Sequence, residues 1–304
     1  MSIVKCKKVS SFFAKRYVVF FFYYYDIIPF NKMIGMIYME KIIMLGTGNG
    51  GTLDLYNTCF VIHNDNGNFL VDTGGSIEII KRLKNINIAL KDIKYIFISH
   101  SHTDHILGLI WMLKKLGVAS VNGKISTTIN IYCNDVVYEA IQVLSKQIIH
   151  QKIIDGFLSI VKFHILKNEQ QININGIDYT FFDINAKGTK QFGFECYISE
   201  KKLIFLDDET LNQNLYSRVI GADYVMHEAF CLDSEENIFH AYQKNHSTVK
   251  TACEIMNNLE VKNLILYHTE ESHGNQRKAL YTEEGKNNFN GKIIVPDDFE
   301  EILL

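Results

Sequence analysis

Residues 99–105 read SHSHTDH, held between the apolar run IKYIFI (93–98) and ILGLIWMLKKLG (106–117). The first flank has the composition of a buried strand; the second returns apolar residues at helical spacing and stops at Gly117. Three histidines and an aspartate therefore stand where a strand hands over to a helix. Side chains two apart on extended backbone point the same way, so His100 and His102 converge on one point. Asp104 and His105 fall at the turn into the helix and face a neighbouring point. Imidazole and carboxylate are the ligands zinc-like ions prefer, and a catalytic zinc keeps one position open for water. Solvated loop histidines or helix caps are the plain alternative. With 11 histidines in 304 residues, a chance HxHxDH is on the order of one in a thousand, which favours a metal site.

Working outward, the elements alternate from Met39 onward. EKIIML and TCFVIH read as strands, and NDNG is a hairpin signal leading into NFLVD. SIEIIKRLKN has helical spacing, as does DVVYEAIQVLSKQII. TINIYC, IDYTFFDI, FGFECYIS and KLIFLD are further strands. After residue 210 come ADYVMH (strand), STVKTACEIMNN (helix), VKNLILYH (strand), NQRKALYTEEG (helix) and GKIIVP (strand). Meandering strands followed by strand–helix alternation predict an α/β fold of two sheets packed face to face with helices outside.

Composition narrows the setting. A 304-residue chain that is 47% hydrophobic buries a large core. The six cysteines are scattered with no CxxC pair, which fits reduced thiols in a cytoplasmic protein rather than a disulfide framework. Residues 1–38 differ from the rest: six basic side chains against Asp26 give +5, so the whole-chain charge of −3 leaves −8 for residues 39–304. YVVFFFYYY (17–25) follows a basic stretch but lacks a small-x-small cleavage site. It is also shorter than the roughly 20 apolar residues that span a bilayer, so no stable membrane insertion is expected. The expectation is an extension over residues 1–38 outside the domain, translated from an early start, and a hydrolase domain over 39–304.

Further stretches carry a family pattern. MLGTGNGG (44–51) and LVDTGG (70–75) form glycine-rich turns after strands, and FLDDE (205–209) and ILYHTE (265–270) end strands on acids and a histidine. With SHSHTDH, these resemble the metallo-β-lactamase superfamily. MHEAF (226–230), HST (246–248) and FGF (192–194) resemble its ribonuclease Z branch. The resemblance covers residues 40–304 and implies an αββα sandwich of two mixed sheets. It implies metal ligands at His100, His102, Asp104, His105, Asp208 and His268, with Asp208 bridging two Zn2+ ions (Mn2+ or Fe being possible) and Asp207 standing where glycine is usual. It also implies catalytic roles for Asp104, His246 and Glu228, with His246 protonating the leaving oxygen. Asp72 either orients ligands or caps the following helix. His227 and His246 gain a functional reading from their joint appearance beside Glu228 and Thr248.

One departure marks this chain. The histidine that normally completes the first metal site, just before FGF, is absent. Asn185 is its nearest counterpart, with Asp183 two residues earlier and His164 further upstream as other candidates. An amide oxygen is a poorer zinc ligand than imidazole. The expected activity is metal-dependent hydrolysis of a phosphodiester. A lactonase or thioesterase-type hydrolase, or a non-catalytic metal-binding protein with a degraded first site, are the alternatives. RNA is a possible substrate disfavoured by the charge, since the broad basic footprint of an RNA binder is missing. A homodimer is possible from the resemblance.

Overall fold

The computed structural model describes residues 40–304; the predicted extension over residues 1–38 lies outside the described residues. Fourteen strands are β1 (Lys41–Gly46), β2 (Cys59–Asn64), β3 (Gly67–Val71), β4 (Tyr95–Ile98), β5 (Ile129–Cys133), β6 (Val161–Ile165), β7 (Gln170–Ile174), β8 (Ile177–Asp183), β9 (Phe192–Ile198), β10 (Lys201–Phe205), β11 (Tyr224–Glu228), β12 (Asn263–Tyr267), β13 (Lys292–Ile294) and β14 (Glu301–Leu303). The helices are α1 (Glu78–Asn85), α2 (Thr103–Val121), α3 (Asp135–Ile148), α4 (Gln151–Leu158), α5 (Tyr216–Val219), α6 (Glu236–Phe239), α7 (Val249–Asn258) and α8 (Arg277–Lys286).

The strands form two seven-stranded sheets, ordered β14-β1-β2-β3-β4-β5-β6 and β13-β12-β11-β10-β9-β8-β7. Each sheet is half antiparallel and half parallel. In the first, β14 to β3 pair antiparallel and β3 to β6 parallel. In the second, β7 to β10 pair antiparallel and β10 to β13 parallel. The parallel halves need helical crossovers, and the crossovers supply the outer layers.

Three apolar layers hold the sandwich. Between the sheets, alternate strand positions interdigitate aromatic rings, among them Phe60, Phe69, Phe97, Phe181, Phe194 and Phe205. Phe60 and Phe205 meet edge-on at 5.2 Å and Phe69 and Tyr179 at 4.9 Å, the arrangement the ring quadrupole favours. Outside the first sheet, Leu109, Met112, Leu113 and Leu116 of α2 pack onto Ile96, Ile98 and Ile131. Outside the second, Val249, Ala252 and Met256 of α7 cover Val225 and Leu264. The αββα sandwich of two mixed sheets expected from the sequence is the fold. The NDNG turn also forms as predicted, with Asn64 paired to Gly67. Among the described residues no helix is long and apolar enough to cross a membrane, and five cysteines are buried and free.

The helix that carries the histidine motif is locked to the first sheet through the LVDTGG turn. The Thr73 hydroxyl donates to His105 O (2.6 Å) and accepts from Leu109 N (2.8 Å), while Gly108 N donates to Gly74 O (2.8 Å). A Cβ on Gly108 would run into the Thr73 carbonyl, so backbone meets backbone only because no side chain intervenes. Gly108→Ala should therefore destabilise the fold by about 1–3 kcal/mol, the usual range for overpacking. A denaturant midpoint unchanged from the parent would show that this contact does not seat the helix.

Candidate metal centre

Strand ends and a helix start converge at one edge of the sandwich. β4 ends at Ile98, and Ser99–His102 continue extended into the first turn of α2. His102 is the residue preceding that turn, with φ −66° and ψ 154° and no side-chain capping bond. Ser99 O accepts from Phe192 N of the other sheet (3.1 Å), which ties the motif across the two layers. Asp72, Asp207 and His268, each just past a strand, adopt left-handed backbone with φ of 55°, 60° and 57°. Such conformations are costly outside glycine and persist only where the surroundings over-determine them.

The side chains thus delivered surround one oxygen. Asp208 Oδ2 lies 3.4 Å from His100 Nε2, 3.3 Å from His105 Nε2 and 3.5 Å from His268 Nε2. Asp104 Oδ2 lies 3.4 Å from His105 Nε2. Two ligands each about 2.1 Å from one tetrahedral cation stand roughly 3.4 Å apart, so these spacings are those of a coordination shell. His100 Nε2, His105 Nε2 and Asp208 Oδ1 are buried with no hydrogen-bond partner, which native structures rarely leave unexplained. The donor set therefore fits divalent cations of the zinc type. Two ligand groups share Asp208: Asp104, His105, Asp208 and His268, all buried, and His100, exposed His102 and Asp208.

The outward nitrogens of the buried imidazoles are each occupied. His105 Nδ1 is 2.8 Å from Asp72 Oδ2, His100 Nδ1 is 3.1 Å from Asp207 Oδ2, and His268 Nδ1 is 3.2 Å from Thr58 Oγ1. Asp72 also accepts from Ser99 N (2.9 Å) and Ser99 Oγ (2.8 Å). Partners of this kind fix ring orientation and leave Nε2 for an ion. Burial opposes charge on both kinds of group; it prevails at His268, which it lowers to about 3, while at His105 and Asp208 the contacts win. Asp104 and Asp72 raise His105 well above its ordinary range, and His100, His105 and His268 hold Asp208 well below its own. In the chain alone a proton on His105 thus balances the neighbouring carboxylates, a role a bound cation would take over.

Next to this shell, His246 stacks on Phe230 (4.7 Å between centroids, 12° between planes) and lies 5.3 Å from the His268 ring. Glu228 is fully buried, its Oε1 accepting from Ser247 N (2.6 Å). Its Oε2 faces His246 Nδ1 at 3.7 Å, beyond hydrogen-bond distance, and neither atom has another partner. Burial raises Glu228 and lowers His246, which favours the uncharged pair. A cavity of about 490 Å3 opens beside His246, with Asn185, Lys187, Glu209, Tyr242 and Asn245 among its walls.

All six predicted ligand residues are brought together, and Asp72 proves to orient His105. The substitutes proposed for the missing histidine fare differently. Among the described residues, Asp183 belongs to none of the His, Cys, Asp and Glu groups that could hold a metal: neither of the two above nor a third of His100, His105 and Asp207. Its carboxylate accepts from Asn185 N (2.8 Å), because the chain turns left-handed at Asn185 (φ 56°) directly after β8. Asn185 itself lines the cavity beside His246. His164 lies on β6, stacked on Tyr132 and held at 2.9 Å by Asn130. Asp207, which the sequence marks only as a replaced glycine, is a buried partner of His100.

His227 is a tie between elements rather than a site residue. Its Nδ1 donates to Glu228 O (2.5 Å) and its Nε2 accepts from Leu211 N (3.2 Å). Burial pulls its pKa from 6.5 down to about 4. Above pH 6.5 neither native nor unfolded chain protonates this ring. Between 6.5 and about 4 only the unfolded chain does, so this contribution to stability is lost as pH falls through that window. His227→Gln should flatten the decline in stability over pH 6.5–4 measured by urea unfolding; an unchanged slope would assign the decline elsewhere.

A family model described as Anti-Pycsar protein Apyc1 matches residues 40–289. Ribonuclease Z of Macrococcus caseolyticus is 24% identical over 314 residues, covering 86% of this chain and 98% of that protein. Mitochondrial Ribonuclease Z 2 of Schizosaccharomyces pombe is 28% identical over 188 residues, covering 60% of this chain; the match spans 26% of that protein's length. Among solved structures, the metallo-beta-lactamase fold protein YhfI from Bacillus subtilis has a TM-score of 0.71 at 16% identity, over 88% of this chain and 100% of that one.

Proposed function

The chain belongs to the Anti-Pycsar protein Apyc1 family, within the metallo-β-lactamase superfamily and its ribonuclease Z-like branch, and from that premise we propose that it is a metal-dependent phosphodiesterase acting on small diesters. The observation that carries this reading is the Asp208 carboxylate oxygen, ringed by three imidazoles at 3.3–3.5 Å and bordered by His246 and its cavity. His100, His102 and Asp208 would hold one ion, and Asp104, His105, Asp208 and His268 the other. When bound, such ions supply a hydroxide nucleophile at neutral pH, by lowering the pKa of water from 15.7 towards about 7, and stabilise charge on phosphoryl oxygens.

The chain's own side chains do the rest. Asp104 has one oxygen against His105 and its carboxylate directly under Gly50, so it is positioned to orient the nucleophile. His246 faces the centre from its stack on Phe230, with Nδ1 turned to Glu228. That leaves Nε2 to carry the proton given to the departing oxygen, and the buried Glu228 carboxyl holds the ring in register. Burial favours the uncharged form of both groups. For His246 to act as the acid, the Glu228 carboxyl, closing from 3.7 Å, must therefore pass its proton to Nδ1 as Nε2 gives one up. That leaves a neutral imidazole and a Glu228 carboxylate that solvent reprotonates.

Charge favours a small substrate. The −8 carried by residues 39–304 gives no broad phosphate-tracking surface. Hydrolysis of bis(4-nitrophenyl) phosphate with added Zn2+ or Mn2+ should outpace that of 4-nitrophenyl butyrate and change little between 50 and 200 mM salt. A steep fall with salt for an RNA substrate cleaved faster than the small diester would favour RNA instead, and preferential ester cleavage would sink the phosphodiester reading. His246→Ala should slow an alkyl-leaving diester about 100-fold or more while sparing the nitrophenyl one, whose leaving group needs no proton. Equal slowing of both would remove His246 from the acid role.

A further inference from the structure

The two ligand groups are unequal. One has four buried ligands, Asp104, His105, Asp208 and His268; the other has His100, the exposed His102 and a share of Asp208. The ligand-poor group has something the sequence pattern did not anticipate. Asp207 is buried with its side chain at 0% exposure, its Oδ2 lies 3.1 Å from His100 Nδ1, and its Oδ1 has no partner. Its backbone sits at φ 60°, where glycine is easiest, and Tyr267 Oη donates to its carbonyl oxygen. A carboxylate is thus carried in a position that backbone geometry alone would give to glycine.

Hydrogen-bond directions fix what it does. The single hydroxyl proton of Ser99 goes to Asp72 Oδ2 (2.8 Å), so toward His100 Nδ1, 3.0 Å away, the serine oxygen accepts. Asp207 also accepts. Both partners of Nδ1 are acceptors, which keeps a proton on Nδ1 and leaves Nε2, facing Asp208, as the nitrogen that would bind a cation. The same device stands behind His105, where Asp72 is the acceptor. The structure assigns Asp207 as a positioning residue for the cation held by His100, His102 and Asp208. It locks the His100 tautomer and brings a second buried carboxylate beside the shared Asp208, strengthening the site that lacks a third exclusive protein ligand.

This rests on the metal-centre reading above, and the test separates the two. Zn2+ is titrated calorimetrically into the chelator-stripped full-length chain, for the parent, Asp207→Gly and Asp207→Asn, with thermal midpoints taken on the metal-free proteins. The parent should bind two ions. Asp207→Gly should weaken one binding event 10- to 100-fold, the usual effect of removing such a partner. The other event should be unchanged and the metal-free midpoint equal or higher, because glycine fits φ 60°. Asp207→Asn, which keeps an acceptor but loses the charge, should fall between. Two events of parental affinity in Asp207→Gly would overturn the assignment, as would equal weakening of both with a lowered midpoint, the mark of a merely structural role. A parent that binds one ion would show that Asp207 does not sustain the poorer site. A parent that binds none would remove the metal centre itself.

Discussion

One carboxylate oxygen organises this molecule. Asp208 Oδ2 stands within 3.5 Å of three imidazole nitrogens that come from two sheets and one helix. Side chains of such different sequence origin meet only if β4, β10 and β12 end, and α2 begins, at the same edge. The aromatic layer between the sheets supplies that alignment. Phe97, which precedes the histidine motif, packs on Phe181 and Phe194 of the opposite sheet. The site is thus a consequence of how the sheets interlock.

The same edge gathers the structure's electrostatic and conformational cost. Asp72, Asp104, Asp207 and Asp208 are all buried there, and Asp72, Asp207 and His268 take left-handed backbone. Buried charges are tolerated when paired or when they coordinate metal. In the chain alone a proton on His105 provides part of that pairing, and a bound cation would take its place. Both states depend on the partners behind the ligands, namely Asp72, Ser99, Thr58 and Asp207, as much as on the ligands themselves.

Much of this was legible in the sequence because it is local. The spacing of His100, His102, Asp104 and His105 spans six residues, and a strand followed by a helix dictates their convergence. Asp208 and His268 needed the family resemblance, since nothing in their spacing points to a site more than 100 residues away. The partners were hidden for the same reason. Asp207 reaches His100 across 107 positions and Asp72 reaches His105 across 33. Secondary structure was missed where burial is weak. β7 (QQINI) alternates polar amides at a sheet edge, β14 has three residues, and α4 is an eight-residue helix interrupted by Gly156. Asp183 misled because strand alternation places it near Asn185, while the left-handed turn between β8 and β9 directs its carboxylate to the backbone.

On the proposed function, a single carboxylate would serve both ions. Elemental analysis of the full-length chain and of Asp208→Asn, each loaded with Zn2+ and dialysed, tests it most directly. With a shared Asp208, about two ions per parent chain and none in a folded Asp208→Asn are expected, because an amide at the hub leaves three imidazoles and Asp104 without their shared anionic ligand. A folded Asp208→Asn that keeps either ion would show that the two groups bind independently, and would contradict the arrangement set out above.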